Sequence, residues 1–457
     1  MAPNITIIGG GSYQWAPTLA IDLANTASLE ASEIVLCDID PAPLTRMVEL
    51  VEHIATTRGI PMTARATTNQ REALSGADFV VVNISTGGFA SMRHDIEIPE
   101  RYGFRQPVGD TVGPGGITRA LRNIPVLVGI ARDMADVCPD AWLCNLTNPM
   151  TTLCRAVTRE TDIKTVGLCH EVTGTRFMLS LLLDSSFADL HLDVVGVNHF
   201  PVITGLDVAG DDGLARLRDL ISDDRRLGEP IVLDVPEGSD VSDLIGDGEF
   251  TKGTLLEQHQ LKLELFRRFG VLPAAGDRHL AEFLPGFITE QSAWGGRWGV
   301  KLVSIADREE DHLEHIADFE ALLASHEITH APSGEMLAPL IDSLIRDVPR
   351  HLPLNIPNTG QCPDLPAGAV VESMCTVDGR GVRGGDPVVA PAGIAEQLRR
   401  VTAAQELTVE AALTGDRERV LEAMLADPLA GRGDFTQLVE MTDELIDATR
   451  PWLPQFA

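Results

Sequence analysis

The chain is short of tyrosine and of lysine. It carries two tyrosines, Tyr13 and Tyr102, and four lysines, Lys164, Lys252, Lys262 and Lys301. Lys and Arg together number 36 against 67 Asp and Glu, a formal charge of −31. That deficit argues against nucleic acid or an anionic membrane as a partner, because phosphates attract basic patches. No CxxC pair occurs, and the seven cysteines (37, 138, 144, 154, 169, 362 and 375) are scattered and odd in number. A disulfide framework is excluded, and a reducing cytoplasm is the expected compartment. No run of about 18 apolar residues suggests a membrane span, and no cationic-then-apolar leader pattern opens the sequence. What remains is ordinary globular composition, 44% hydrophobic and 23% charged over 457 residues. At about 100–200 residues per domain this fits two or three domains.

The order of apolar runs predicts a doubly wound parallel sheet. Asn4-Ile5-Thr6-Ile7-Ile8, Glu33-Ile34-Val35-Leu36-Cys37, Asp78-Phe79-Val80-Val81-Val82-Asn83-Ile84 and Trp142-Leu143-Cys144-Asn145-Leu146 read as buried strands. A fifth strand is expected over 164–170. Helical stretches alternate with them. Ligands in such sheets sit beyond the strand ends, where Asp38, Ser85, Asn148, Cys169 and His170 fall. After about residue 193 the texture changes. A strand is expected at 194–197, an acidic, Gly-rich and mobile insertion over 209–248, a helix over 255–269, another after Glu309, Pro/Gly-rich loops over 351–391, and helices over 394–450. Two packed domains are expected, 1–195 and 196–457, the second of α+β type.

Gly9-Gly10-Gly11-Ser12-Tyr13-Gln14 follows the first strand and supplies two of the three glycines of a dinucleotide fingerprint, with Gln14 replacing the third. Asp38 ends the second strand, where a carboxylate holds a ribose diol and repels a 2′-phosphate, so NAD is favoured over NADP. Gly9, Gly10, Gly11, Ser12, Asp38 and Asn83 are the expected cofactor contacts. Cys169 with His199 would suit a divalent metal with open positions. On spacing alone, a buried cysteine and core histidines are the better reading.

Several blocks in order resemble glycoside hydrolase family 4. They are Asp110-Thr111-Val112-Gly113-Pro114-Gly115-Gly116-Ile117, Asn145-Leu146-Thr147-Asn148-Pro149, Gly167-Leu168-Cys169-His170-Glu171-Val172, Gly196-Val197-Asn198-His199-Phe200, Pro357-Asn358-Thr359-Gly360 and Ala369-Val370-Val371-Glu372-Ser373. The resemblance spans nearly the whole chain. It implies a Rossmann-like fold akin to lactate and malate dehydrogenases, and a hydrolase outside the two-carboxylate scheme. Such an enzyme needs NAD and a divalent metal, commonly Mn2+. Transient oxidation at the sugar C3 acidifies the C2 proton, a base removes it, the aglycone is eliminated, and water adds back.

The resemblance implies Cys169 and His199 as metal ligands and Asn148 near the metal and sugar hydroxyls. The Cys169-His170-Glu171-Val172 block resembles members acting on unphosphorylated α-glycosides, most of all α-glucosidases, with α-galactosidase or α-uronidase as alternatives. Many members use a tyrosine base, but this chain has none after Tyr102, and Tyr13 lies in the nucleotide loop. Ala275-Gly276-Asp277-Arg278-His279-Leu280 resembles the family's aspartate alternative, so Asp277 is the expected base. Asp110 is the first expectation for the general acid, followed by Glu171 and His170. Arg278, Arg119 and Arg297 are candidates to hold a carboxylate or the nucleotide. A ligating Cys169 is expected to be open to oxidation. The resemblance also implies a homodimer or homotetramer acting on a small glycoside. A 2-hydroxy acid or sugar acid dehydrogenase explains the glycine loop and Asp38 equally well, but not the Cys169/His199 pair.

Overall fold

The first half of the chain winds six strands into one parallel sheet. They are Asn4–Ile8 (β1), Glu33–Cys37 (β2), Thr63–Thr67 (β3), Phe79–Val82 (β4), Trp142–Asn145 (β5) and Lys164–Gly167 (β6), in the spatial order β3-β2-β1-β4-β5-β6. This is a computed structural model, and it describes residues 2–231, 250–326, 328 and 333–456. The strand order reverses between β1 and β4, the crevice where doubly wound sheets bind ligands. Side chains alternate between two cores. Val80 and Val82 of β4 face one of them, Phe79 and Val81 the other. β3 escapes a reading based on apolar runs, because Thr63-Ala64-Arg65-Ala66-Thr67 is a half-exposed edge strand without a large apolar residue.

Seven helices connect and cover these strands: Trp15–Ala24 (α1), Leu44–Arg58 (α2), Gln70–Leu74 (α3), Gly88–Arg101 (α4), Gly113–Val137 (α5), Met150–Glu160 (α6) and Glu171–Leu182 (α7). The strand expected over 164–170 stops at Gly167, and His170 sits at the N-cap of α7 instead.

The sheet then continues in antiparallel fashion. Leu190–Val197 (β7), Phe200–Val208 (β8), Asp211–Asp212 (β9), Leu272–Pro273 (β10), Arg350–Pro357 (β11), Val370–Asp378 (β12) and Gly381–Gly384 (β13) extend it in the order β6-β11-β12-β7-β8-β10. Three strands therefore occupy the 351–391 stretch read as loops. Pro353 and Pro357, which read as breakers, both lie within β11. β7 runs through residue 195, so one sheet spans both halves. The expected helix over 255–269 is two, Lys252–Glu257 and Gln260–Phe269. The acidic stretch holds β9 and the short helices Gly213–Leu220 and Asp224–Leu227, and its residues 232–249 lie outside the described residues. The helices Ala392–Thr414, Arg417–Ala426 and Phe435–Ala448 bring Val409, Val420, Leu438 and Leu445 into the core of the first half. Among the described residues, no helix is long and apolar enough to cross a membrane.

A buried ion pair fixes the wall of the crevice. Arg122 of α5 grips Asp95 of α4 through two bonds, Nη1 to Oδ1 at 2.8 Å and Nη2 to Oδ2 at 2.6 Å. Both side chains are 1% exposed. Arg122 Nε donates to the Thr86 carbonyl at 3.3 Å, and Gln106 Nε2 donates to the Asp95 carbonyl at 2.8 Å. The pair thus ties together α4, α5, the loop after β4 and the turn leading to Asp110. Breaking it by Arg122→Met strands a buried carboxylate and should cost about 3–5 kcal/mol in urea denaturation, whereas adding Asp95→Leu should restore most of that loss.

Candidate active site

The nucleotide end of the crevice is built by close backbone approach. Gly9 and Gly10 N–H both donate to the Cys37 carbonyl at 2.9 Å. Gly9 has φ +90°, and a Cβ there would lie 1.8 Å from the Asn83 carbonyl oxygen; one on Gly11 would lie 2.6 Å from Pro43 Cγ. Only glycine fits, and the loop backbone stays bare for an approaching pyrophosphate. Asp38 Oδ2 accepts from Gly11 N–H at 3.0 Å, which sets a carboxylate beside the loop. Ser12 Oγ accepts from Trp15 N–H at the start of α1. These residues fit a dinucleotide with a free ribose diol. Tyr13 is packed edge-on against His312 and Phe319, and Tyr102 donates to Glu444, so neither tyrosine is free to act as a base.

The chemical end centres on Asp110, His199 and His279, whose ligand atoms all lie within 4.8 Å of one another. β7 and β8 pair Val197 with Phe200, so Asn198 and His199 form a two-residue hairpin tip. His199 holds φ +65° there, a left-handed conformation costing about 1–2 kcal/mol outside glycine and typical of functional positions. Gly196 permits the turn, since a Cβ there would sit 2.4 Å from the Phe200 carbonyl oxygen. Thr111 Oγ1 donates to Asp110 Oδ1 at 2.6 Å and lies 2.8 Å from His199 Nδ1. With its one proton given to Asp110, the hydroxyl accepts from His199 Nδ1–H. His199 Nε2 is then left as a lone pair, the tautomer of a metal ligand. His279 stacks on His199 with ring centroids 3.6 Å apart, and its buried Nδ1 has no hydrogen-bond partner. Asn148 Nδ2 donates to Asp110 Oδ2 at 3.0 Å, which leaves its buried Oδ1 equally unpaired. An unpaired buried amide oxygen and ring nitrogen beside a lone-pair imidazole are what a cation would satisfy.

Cys169 is 6% exposed and is not a member of that three-residue group. It neighbours Asn198, the residue before His199. Burial above all, then Glu372 and Glu171, push its thiol well above the ordinary range, an environment that a cation would offset. The same burial corrects the expectation of ready oxidation in the chain as it stands. Burial likewise lifts the Glu372 carboxyl to about 8.

The acid and base candidates separate by environment. Burial pushes Asp110 up, but His279, His199 and Arg119 outweigh it and hold the carboxyl below the usual range. An ionised carboxylate has no proton to give, so Asp110 suits a ligand or acceptor role, not the acid role read from the sequence. His170 Nδ1 lies 2.7 Å from Glu335 Oε1; that contact pushes the imidazole up against opposing burial, and its side chain is 55% exposed at the mouth of the site. Glu171 Oε2 accepts from Gly276 N–H at 2.7 Å, and Oε1 lies 3.8 Å from His279 Nε2. Asp277 accepts from Leu261 and Lys262 N–H at 2.8 and 3.0 Å, and burial pushes its carboxyl up. It stands beside the Asp110 group, not inside it.

Three arginines crowd this end of the crevice. Arg119 Nε donates to the Asn148 carbonyl at 3.0 Å, Arg278 Nη2 to the Pro107 carbonyl at 3.1 Å, and Arg308 to the Val108 carbonyl. Arg308, His279, Thr111, Glu335 and Glu282 were not singled out from the sequence. His279 and Thr111 lie inside blocks that were, next to residues that drew attention. Glu335 and Arg308 carry no local signal.

Glu282, fully buried, accepts from Val108 and Gly109 N–H at 2.8 and 2.7 Å and so holds the loop that carries Asp110. Burial lifts its carboxyl from 4.5 to about 8. Between those values the folded chain binds a proton that the unfolded chain has lost. Stability therefore falls as pH rises from about 4.5 to 8. Glu282→Gln keeps the acceptor without the titration, so thermal melts of the metal-free protein should show a flatter pH dependence across that window than the parent.

Residues 4–184 match the model of the family 4 glycosyl hydrolases, and residues 194–430 match the family's C-terminal domain. The chain is 34% identical over 467 residues to an alpha-galacturonidase of Thermoanaerobacterium saccharolyticum, covering 97% of this chain and 96% of that protein. It is 31% identical over 479 residues to an alpha-glucosidase of Erwinia rhapontici, covering 99% of each. The crystal structure of lplD from Bacillus subtilis superposes with a TM-score of 0.84 at 30% identity, over 97% of this chain and 99% of that one. A 6-phospho-alpha-glucosidase from gut microorganisms, solved with NAD and Mn2+, has the same fold, with a TM-score of 0.80 at 19% identity over all of both chains. With a family model on each half and relatives above 30% identity along nearly its whole length, the chain belongs to glycosyl hydrolase family 4.

Proposed function

We propose that the chain is an NAD- and divalent-metal-dependent α-galacturonidase. The observation that carries this reading is the gathering of Arg119, Arg278 and Arg308 around Asp110, in a protein whose formal charge is −31. A neutral glucoside has no use for such a concentration of cations, whereas a uronide brings a carboxylate. The relative at 34% identity acts on the same class of substrate. The block Cys169-His170-Glu171-Val172 alone favoured α-glucosides, and the arginines tip the balance to the uronide.

Cys169 and His199 Nε2 would hold the metal, with Asn148 Oδ1 turned toward it. The bare loop Gly9–Ser12, Asp38 and the Asn83 segment would hold the dinucleotide. When bound, NAD supplies a transient acceptor for hydride from the sugar C3, and the metal a Lewis acid for the C2 and C3 oxygens. Asp277 removes the C2 proton; its raised basicity suits it, and each oxygen keeps one lone pair free of the Leu261 and Lys262 amides. His170, whose contact with Glu335 favours its protonated form, donates a proton to the departing aglycone oxygen. Glu171 holds the Gly276 turn that presents Asp277.

With NAD and Mn2+, p-nitrophenyl α-galacturonide should release nitrophenolate without net growth of NADH absorbance. NADH growth without release would assign a dehydrogenase, and turnover of the α-glucoside alone would return the reading to an α-glucosidase. Asp277→Asn should slow exchange of the C2 hydrogen with D2O by about 100-fold or more while NAD still binds. If exchange survives there and vanishes in Glu171→Gln, the base is Glu171. His170→Gln should cost about 100-fold on an alkyl galacturonide and much less on the p-nitrophenyl compound, whose leaving group needs no proton.

A further inference from the structure

Arg278 and Arg308 come from distant parts of the chain and arrive side by side. Arg278 lies in the first turn of the helix Asp277–Phe283, and Arg308 in the first turn of Ile305–Ala324. Their anchors are consecutive carbonyls, Pro107 and Val108, in the loop that carries Asp110. Each guanidinium spends an Nη2 hydrogen bond on its anchor, and Arg308 Nη1 also contacts Met92 Sδ at 3.2 Å. Arg308 Nε is buried without a hydrogen-bond partner. Among the described residues neither arginine has a carboxylate within 4.0 Å. Glu282, the nearest buried acid, is held neutral by burial and occupied by Val108 and Gly109. Asp110 is occupied by Thr111 and Asn148. Asp110 and Asp311 act on Arg278 from beyond ion-pair distance, so two adjacent cations that repel one another have no carboxylate in direct contact, an incomplete arrangement.

We propose that Arg278 and Arg308 together hold the C6 carboxylate of the uronide, and that this pair sets the preference for a charged sugar. The inference rests on the galacturonidase reading and adds to it the residues that recognise the acid. Planar forks with spare N–H groups match a planar carboxylate. The dinucleotide is the other anion to consider, and it comes near: His312, one helical turn after Arg308, meets Tyr13 of the nucleotide loop. The anchors on Pro107 and Val108 tie both arginines to the loop that carries Asp110, and NAD binding by the variants distinguishes the two anions.

The test compares p-nitrophenyl α-galacturonide with p-nitrophenyl α-galactoside on the NAD- and Mn2+-loaded enzyme. In Arg278→Met and Arg308→Met, KM for the galacturonide should rise about tenfold or more with kcat changed little, and kcat/KM for the galactoside should fall much less, so that the ratio of galacturonide to galactoside kcat/KM drops about tenfold. Arg308→Lys, which keeps the charge and can still reach the Val108 carbonyl, should fall between. Equal losses on both sugars, in variants whose melting temperature matches the parent, would overturn the assignment. So would weakened NAD binding with an unchanged ratio of galacturonide to galactoside turnover. A parent enzyme that leaves the galacturonide untouched would instead sink the galacturonidase reading, and the clamp with it.

Discussion

One backbone pairing joins the two halves of the sheet and sets where the chemistry happens. Asn355 of β11 pairs with Gly167 of β6, the only register position between those strands. The approach requires glycine, because a Cβ on residue 167 would lie 2.7 Å from Met150 Cγ and 2.9 Å from Asn355 Cβ. Two residues later the chain reaches Cys169. From β11 the sheet passes to β12 and then to β7, where Glu372 pairs with Gly196, and β7 ends at the hairpin that presents His199. Cys169 and the hairpin that carries His199, thirty residues apart, are thus tied into one continuous hydrogen-bonded frame. A frame without a hinge between the halves suits a site whose reacting groups must keep a fixed geometry.

The electrostatics of that site depend on keeping charge out until ligands arrive. Burial lifts Glu282 and Glu372 to about 8 and lowers His199 and His279 to about 3 and 4, so all four are largely neutral near pH 7. Asp110 and the arginines around it carry charge beside them. An unpaired buried acceptor on Asn148, an unpaired ring nitrogen of His279 and an imidazole with a free lone pair surround the same space. Such a site is costly to bury alone and gains from a cation and an anion together.

The parallel half of the fold was legible because buried strands write themselves as apolar runs and glycine turns carry a conformational requirement. The edge strand β3 was not, since a half-exposed strand needs no apolar run. β11 to β13 were hidden by prolines and glycines that read as loop formers. Most site residues lay in recognisable blocks, Cys169, His199, Asp110, Asn148 and Asp277 among them. Their division of labour was not legible, because it depends on neighbours distant in sequence. Asp110 looked like an acid until Arg119 and the donors Thr111 and Asn148 closed around it. His170 gained its partner from Glu335, 165 residues away. Arg308 reaches Val108 across 200 residues, a contact no local pattern announces.

The C-terminal helices have a consequence for how the chain is made. Leu438, Leu445 and Leu453 fill the core formed by α5 and the first strands, Glu444 accepts from Tyr102, and Gln455 Nε2 donates to the Leu121 carbonyl. The nucleotide-binding half leaves the ribosome first, yet one face of its core stays uncovered until the last residues emerge. For most of translation, then, an apolar face built by the earliest segments is open to the cell, and this chain is a natural client for chaperones that shield such faces.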